Sequence, residues 1–294
     1  MLGIGNNERM TATQRTVGRP APTMSRRHAA GSESARGLLF TVLGEFVLPA
    51  GETAWTSAFI GVLGRLGVEE KACRQALMRT AADGWLASER IGRRTLWRLT
   101  PAAERLLVDG TERIYGFTGT ATAWDGRWLI VLARAPESER PTRHLLRTRL
   151  TWAGLGSPAP GVWVSPHAER VDEVETVLDD AGVLQEAQVF VAEHSGRGEL
   201  RAMVRQAWDL DAIEQRYEEF VARFRGRPPR DALTATVDLV HAWRRFPWID
   251  PVLPDELLPT PWTGVAAAKL FARQHARWSP AARAAWQTLN ESGG

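Results

Sequence analysis

An α+β chain of several domains is what this sequence predicts, and three patterns carry that prediction. Between Ser34 and Asp83, apolar residues recur at helical spacing in three successive runs, broken by Pro49-Ala50-Gly51 and by Gly67. From 85 to 99 the spacing switches to the alternation of a strand pair. From about Leu200 onward the spacing is helical again. The chain has 294 residues, 44% of them hydrophobic, enough for two or three cores.

The first run places Leu38, Leu39, Val42, Leu43, Phe46 and Val47 on a helix capped by Ser34. The second, about Thr56 to Leu66, sets Phe59, Ile60 and Leu63 on one face, and Gly67 ends it with a tight turn. A third helix follows at once, Glu69 to Asp83, stopped by Gly84. Two helices joined by a short Gly turn are a helix-turn-helix pattern. Strands at 85–90 and 93–99 follow, with Thr95, Trp97 and Leu99 alternating onto one face and Ile91-Gly92 at the turn. Thr100-Pro101 then opens a helix to about Ile114, a cap followed by proline at the first position. This order predicts an N-terminal winged helix-turn-helix domain over 34–116.

A central domain over 124–196 is predicted from strands at 128–133, 162–164 and 189–191, alternating with helices at about 140–152 and 171–181; Leu155 to Gly161 reads as a Gly/Pro loop. That alternation suggests a small ferredoxin-like α/β sandwich. The remainder, 199–294, reads as a helical C-terminal domain with helices at 203–225, 231–246, 263–277 and 280–289. Its segment FPWIDPVLPDELLPTPW is rich in proline, but Trp248, Ile249, Val252 and Leu253 want burial, so it is not a linker.

Composition excludes several classes. No run of about 18 apolar residues exists to span a membrane, and the start, MLGIGNNERM, lacks the layout of a secretory signal. Cys73 is the one cysteine, so an intrachain disulfide is impossible and a cysteine-based zinc site is not expected. A reducing cytoplasm is the expected location. No nucleophile elbow, P-loop or dinucleotide fingerprint is present, and the six histidines are scattered without ligand spacing. No enzyme activity, no cofactor and no metal are expected. The competing enzymatic reading is a metal-dependent nuclease using Asp125, which lies just before the first central strand.

The net charge is only +3 although the pI is near 9.6, so the location of charge matters more than its sum. Lys71 and Lys269 are the only lysines, a coding bias rather than a function. Residues 71–98 hold seven basic residues against Asp83 and Glu89, a local +5. The third helix has two faces. Glu69, Ala72, Cys73, Ala76, Leu77 and Thr80 form a small or apolar stripe. Lys71, Arg74, Gln75, Met78 and Arg79 recur opposite it at spacings of three and four. Arginine pairs with guanine O6 and N7, and glutamine with adenine N6 and N7, so this helix is chemically competent to read DNA. Arg90, Arg93 and Arg94 on the hairpin complete a phosphate-binding footprint. The plain alternative is a solvated helix beside an ordinary hairpin. Residues 1–33, rich in Gly, Ser, Thr and Pro, read as a disordered, mildly basic tail through Arg15, Arg19, Arg26 and Arg27.

Three segments in order carry a family resemblance: SARGLLFTVLGEFVLP with GVEEKACRQALMRTAADGWL and RIGRRTLWRLTP; PGVWVSP in the middle; and HAWRRFPWIDPVLPDELLPTPWTG at 241–264. Together, over about 34–290, the chain resembles the PaaX-like family, phenylacetic acid degradation repressors. The resemblance implies a transcription repressor acting as a homodimer on an inverted-repeat DNA operator, controlling aromatic catabolism and released by an acyl-coenzyme A such as phenylacetyl-coenzyme A. It assigns Arg74, Gln75 and Arg79 to the reading helix and Arg93-Arg94 to the wing. It fixes no ligand pocket. A coenzyme A thioester needs cations for its phosphates and an apolar slot for its acyl group. Arg143 and Arg147 on one helix, and Trp243, Arg244, Arg245 and Trp262 around the Pro-rich segment, supply both kinds of group. The competing reading has the aromatics simply pinning that segment. A DNA-binding protein with no effector is the remaining alternative.

Overall fold

The computed structural model describes residues 34–51, 53–119, 124–134, 139–226 and 229–293; the tail expected over 1–33 lies outside them. The chain is a mixed α+β protein, with two antiparallel sheets among the described residues.

Helix α1 (Ala35–Val42) starts where expected: the Ser34 hydroxyl accepts the Gly37 N–H at 3.1 Å. It runs on through a π-helical turn (Leu43–Val47) and a last α-turn (Leu48–Ala50), and Gly51 at φ 61 ends it. The extra residue in the π turn carries Glu45, which is 3% exposed. Strand β1 (Ala54–Trp55) follows, too short to show a period in sequence. Helix α2 (Thr56–Arg65) closes with the Gly67 N–H on the Gly64 carbonyl and the Val68 N–H on the Leu63 carbonyl. That pair of bonds needs a left-handed residue, and Gly67 has φ 83. Helix α3 (Glu70–Ala82) ends the same way at Gly84, φ 80. Two glycine stops thus set the length and the entry and exit directions of α3.

Strands β2 (Leu86–Ile91) and β3 (Arg94–Leu99) pair in register from Leu86↔Leu99 to Ile91↔Arg94, which leaves a two-residue turn, Gly92-Arg93. Strand β1 adds to the other edge of β3, giving the order β1-β3-β2. Helix α4 (Pro101–Tyr115) is capped by Thr100, whose hydroxyl accepts the Ala103 N–H and donates to the Gly84 carbonyl.

The middle of the chain is β4 (Arg127–Leu132), α5 (Arg140–Trp152), β5 (Gly156–Ala159), β6 (Val162–Ser165), α6 (Val171–Asp180) and β7 (Gln188–Glu193). The four strands form one antiparallel sheet in the order β5-β6-β4-β7. The stretch read as a Gly/Pro loop is therefore partly strand: β5 pairs with β6 across a register shift between Gly156 and Ala159. Alternation sorts β4 between two cores. Leu129 and Val131 pack with α5 and α6, while Trp128 joins the C-terminal helices. Edge strand β7 leaves Phe190 and Val191 exposed.

Helices α7 (Leu200–Ala207) and α8 (Leu210–Phe224) replace the single helix expected over 203–225, because Trp208 turns extended and Asp209 caps α8 through the Ala212 N–H. Helices α9 (Ala232–Trp243) and α10 (Phe246–Ile249) follow. The two last helices expected are one, α11 (Gly264–Glu291), which carries Pro280 in its interior. Its two halves are anchored in different cores, Trp278 with the C-terminal helices and Ala282 and Trp286 with α1 and α2. That packing offsets the hydrogen bond the proline removes. Trp286 stacks on Phe46, ring centroids 5.5 Å apart. Near its end, Asn290 accepts the Trp55 N–H and donates to the Thr53 carbonyl, standing in for a strand beside β1. Leu233 and Val237 of α9 complete the same core.

Candidate nucleic-acid interface

Helix α3 separates its residues as its periodicity requires. Cys73, Ala76, Leu77, Thr80 and Ala81 are buried against α1 and α2. Burial pushes the Cys73 thiol up to about 11, so it stays protonated and inert at neutral pH. Glu69 is not part of that stripe; it is the exposed residue preceding the first turn. Lys71, Arg74, Gln75, Met78 and Arg79 are all exposed, Met78 at 63%. An exposed methionine of that size on a surface helix is unused by the core.

The hairpin brings two of its arginines beside α3. Arg74, Arg93 and Arg94 line one depression with Trp55, Thr56 and Ser57 at the start of α2. Arg90 is exposed and donates back to the Gly92 carbonyl at 3.2 Å; Arg93 is exposed at the turn. Arg94 reaches the Gly293 carbonyl at 3.4 Å, so the end of α11 borders this face. Sequence reasoning missed that contact, since no local signal links positions 94 and 293. Arg74 lies 2.7 Å from Glu70, one helical turn earlier. An exposed pair of this kind holds a side chain weakly and yields it to a stronger anion. The exposed candidate residues of α3 and the β2–β3 hairpin thus offer five guanidiniums, one ammonium and one amide, a set of donors that suits a polyanion with readable edges.

The six residues expected around a ligand are not gathered together. Arg143 and Arg147 are exposed on α5, whose buried face is Leu146 and Leu150. Trp243 is fully buried, its indole N–H on the Ile114 carbonyl at 3.1 Å and its ring stacked on Phe271 at 4.8 Å. Arg244 is also buried; it donates to the Gly37 carbonyl and the Thr41 hydroxyl, tying α9 to the first turns of α1. Burial lowers its pKa to about 10, which leaves it charged at neutral pH. Arg245 is exposed in a groove with Arg216 and Arg223. Trp262 is half-buried and pins the exit of α4 through the Gly119 carbonyl.

Asp125, the residue of the nuclease reading, accepts from the Arg127 backbone N–H at 2.9 Å and its guanidinium at 2.6 Å. Those two bonds hold its carboxyl below the usual range. Among the described residues, no group of three or more His, Cys, Asp or Glu is placed to hold a metal ion.

Comparison with known proteins covers the three regions in order. Residues 34–103 match the family described as PaaX-like protein, 121–204 the PaaX protein central Cas2-like domain, and 208–288 the PaaX-like protein C-terminal domain. The chain is similar to the transcriptional repressor PaaX of Escherichia coli (strain K12), 33% identical over 265 residues, covering 85% of this chain and 82% of that protein. Its fold is similar to that of uncharacterized protein Rv0674 from Mycobacterium tuberculosis, with a TM-score of 0.62 at 22% identity over 87% of this chain and 100% of that one.

Proposed function

The chain belongs to the PaaX-like family, and from that premise we propose that it is a DNA-binding transcriptional repressor with α3 as its reading helix. The family is one of regulators, and this chain is not an enzyme. The observation that carries the proposal is the outward face of α3, Lys71, Arg74, Gln75, Met78 and Arg79, beside the arginines of the β2–β3 turn.

The order α1-β1-α2-α3-β2-β3 supports a winged helix-turn-helix, with Gly92-Arg93 as the wing tip. The order β5-β6-β4-β7 supports a ferredoxin-like central unit, and α7 to α11 a helical C-terminal one. Arg74, Gln75 and Arg79 meet base edges, and Arg90, Arg93 and Arg94 meet phosphates or the minor groove. One helix reads only a few base pairs, so the working species is a homodimer on an inverted repeat. The regulated genes are those of an aromatic, phenylacetate-type catabolic operon, and an acyl-coenzyme A such as phenylacetyl-coenzyme A releases the repressor. Exposed Arg143, Arg147 and Arg245 are the cations of the sequence-derived set free to meet its phosphates. A repressor acts where the DNA is, in the cytoplasm. Among the described residues no helix is long and apolar enough to cross a membrane.

The test is selection of bound duplexes from a random pool, followed by titration of the selected site at several salt concentrations. Arg74→Ala is expected to weaken the selected site by about 1–3 kcal/mol and to leave random DNA nearly unchanged. Equal affinity of Arg74→Ala, Gln75→Ala and the parent for the selected site overturns the assignment of α3.

A further inference from the structure

Among the described residues, Met78 is the most exposed of the large apolar side chains, 63% open to solvent against 47% for Ile91 and Phe190. It lies near the middle of the outward face of α3. At about 100° per residue it falls between Arg74 and Gln75, on the side opposite the buried Cys73, Ala76, Leu77 and Thr80. The depression it shares is lined by Glu70, Lys71, Arg74, Gln75 and Arg79, so no other described element covers it. A lone apolar residue on a surface needs no explanation. One set in the centre of a row of long polar side chains is a different case. Neither packing nor helix propensity asks for methionine here, since Lys, Gln and Glu form helices about as well and are cheaper to leave in water.

The neighbours limit what Met78 can meet. Arg74, Gln75 and Arg79 carry donors for base edges, and Lys71 carries a charge for a phosphate. A thioether donates no hydrogen bond and accepts one weakly, so it cannot read a guanine or adenine edge. The apolar feature that ordinary bases present in the major groove is the C5 methyl of thymine. A side chain with three rotatable bonds and a polarizable sulfur can settle on that methyl once the polar contacts have set the register. One turn of a helix advances about 5.4 Å and one base pair about 3.4 Å, so Met78 falls within about two base pairs of the bases met by Arg74 and Gln75.

We propose that Met78 reads the C5 methyl of a thymine, and so sets specificity at one T·A pair of each half-site. The proposal rests on the reading of α3 as the helix that enters the major groove. It adds an apolar contact to the polar ones already assigned to that face. Burying one methyl group is worth about threefold to fivefold in affinity.

Uracil is thymine without that methyl and keeps the same hydrogen-bonding edge. Exchanging thymine for deoxyuridine at single positions of the selected duplex therefore removes only the proposed contact. The full chain is titrated with each duplex as the parent, Met78→Ala and Met78→Leu, each checked for an unchanged circular dichroism spectrum. In the parent, one thymine of each half-site is expected to weaken binding about threefold to fivefold when exchanged. That thymine should lie within about two base pairs of the position whose specificity Arg74→Ala or Gln75→Ala relaxes. Met78→Ala should bind the thymine and uracil duplexes alike, and Met78→Leu should keep the preference. A double-mutant cycle then assigns the coupling to this side chain and this methyl. Three results overturn the proposal: no thymine whose exchange weakens binding, a preference for thymine that Met78→Ala retains in full, or sensitivity only at thymines farther away. Specificity lost in Arg74→Ala while uracil is tolerated everywhere removes Met78 and leaves α3 standing. No selected duplex at all removes the reading of α3 and this proposal with it.

Discussion

Two stretches of this chain set arginines among large side chains, and the fold uses them in opposite ways. On α3 the arginines and Met78 face water, and the small residues carry the packing. Of the four candidate residues over 243–262, Trp243 and Arg244 are core, Trp262 is a pin, and Arg245 is exposed. Side-chain type is the same kind of evidence in both; periodicity is what differs. A helix assigns each residue to a face. The Pro-rich segment after Phe246 assigns none, so Trp248 and Trp262 go where the neighbouring helices leave apolar space, whereas Trp243 ends α9 on its buried face.

The contrast breaks first at Trp243. Trp243→Ala is expected to cost about 3–5 kcal/mol in urea unfolding, because the ring fills a fully buried place among Phe220, Phe246 and Phe271. Met78→Ala on the outward face is expected to stay within about 0.5 kcal/mol. If the two losses are alike, the division into core and reading face is wrong.

The buried segment also carries a pH effect. Burial raises the Asp250 carboxyl to about 6, against the lowering effect of its bonds from Tyr217 and the Val252 N–H. A carboxyl raised in the folded state binds its proton more tightly there than in the unfolded chain. Its contribution is therefore full below the unfolded value and is lost as pH rises through about 6. Thermal unfolding from about pH 7 down to about pH 5 should show the parent gaining on Asp250→Asn; parallel profiles would contradict the burial of that carboxyl.

On the exposed side the expected effects are smaller and belong to DNA. Arg93→Ala should weaken all duplexes alike and flatten the slope of log affinity against log salt by about one unit. A selective loss at one sequence would move Arg93 from phosphate to base edge.

Much of the first third was legible because its signals are local. Gly67 and Gly84 mark helix ends by the left-handed turn each supplies, and Thr100-Pro101 marks a beginning. Strand β1 was not legible, since two residues show no alternation and their pairing depends on Trp97 and Asn290. Nor was β5, whose Gly-Ser-Pro-Ala composition is that of a loop and whose strand character comes from β6. Pro280 reads as a break, and only packing on two cores keeps α11 continuous. The same limit hides long-range contacts: Arg94 and Gly293 meet at the edge of the hairpin, and no spacing in sequence relates them.

The most direct test of α3 as a paired reading helix is to tether a hydroxyl-radical cleavage reagent at Gln75→Cys and map the cuts on a selected duplex. Cys73 is buried and inert, so the new thiol alone takes the reagent. The account predicts two clusters of cuts related by two-fold symmetry, centred about 34–36 Å apart or a multiple of that. Cutting no stronger than from the same reagent at Phe190→Cys, on the exposed edge of the central sheet, would contradict it.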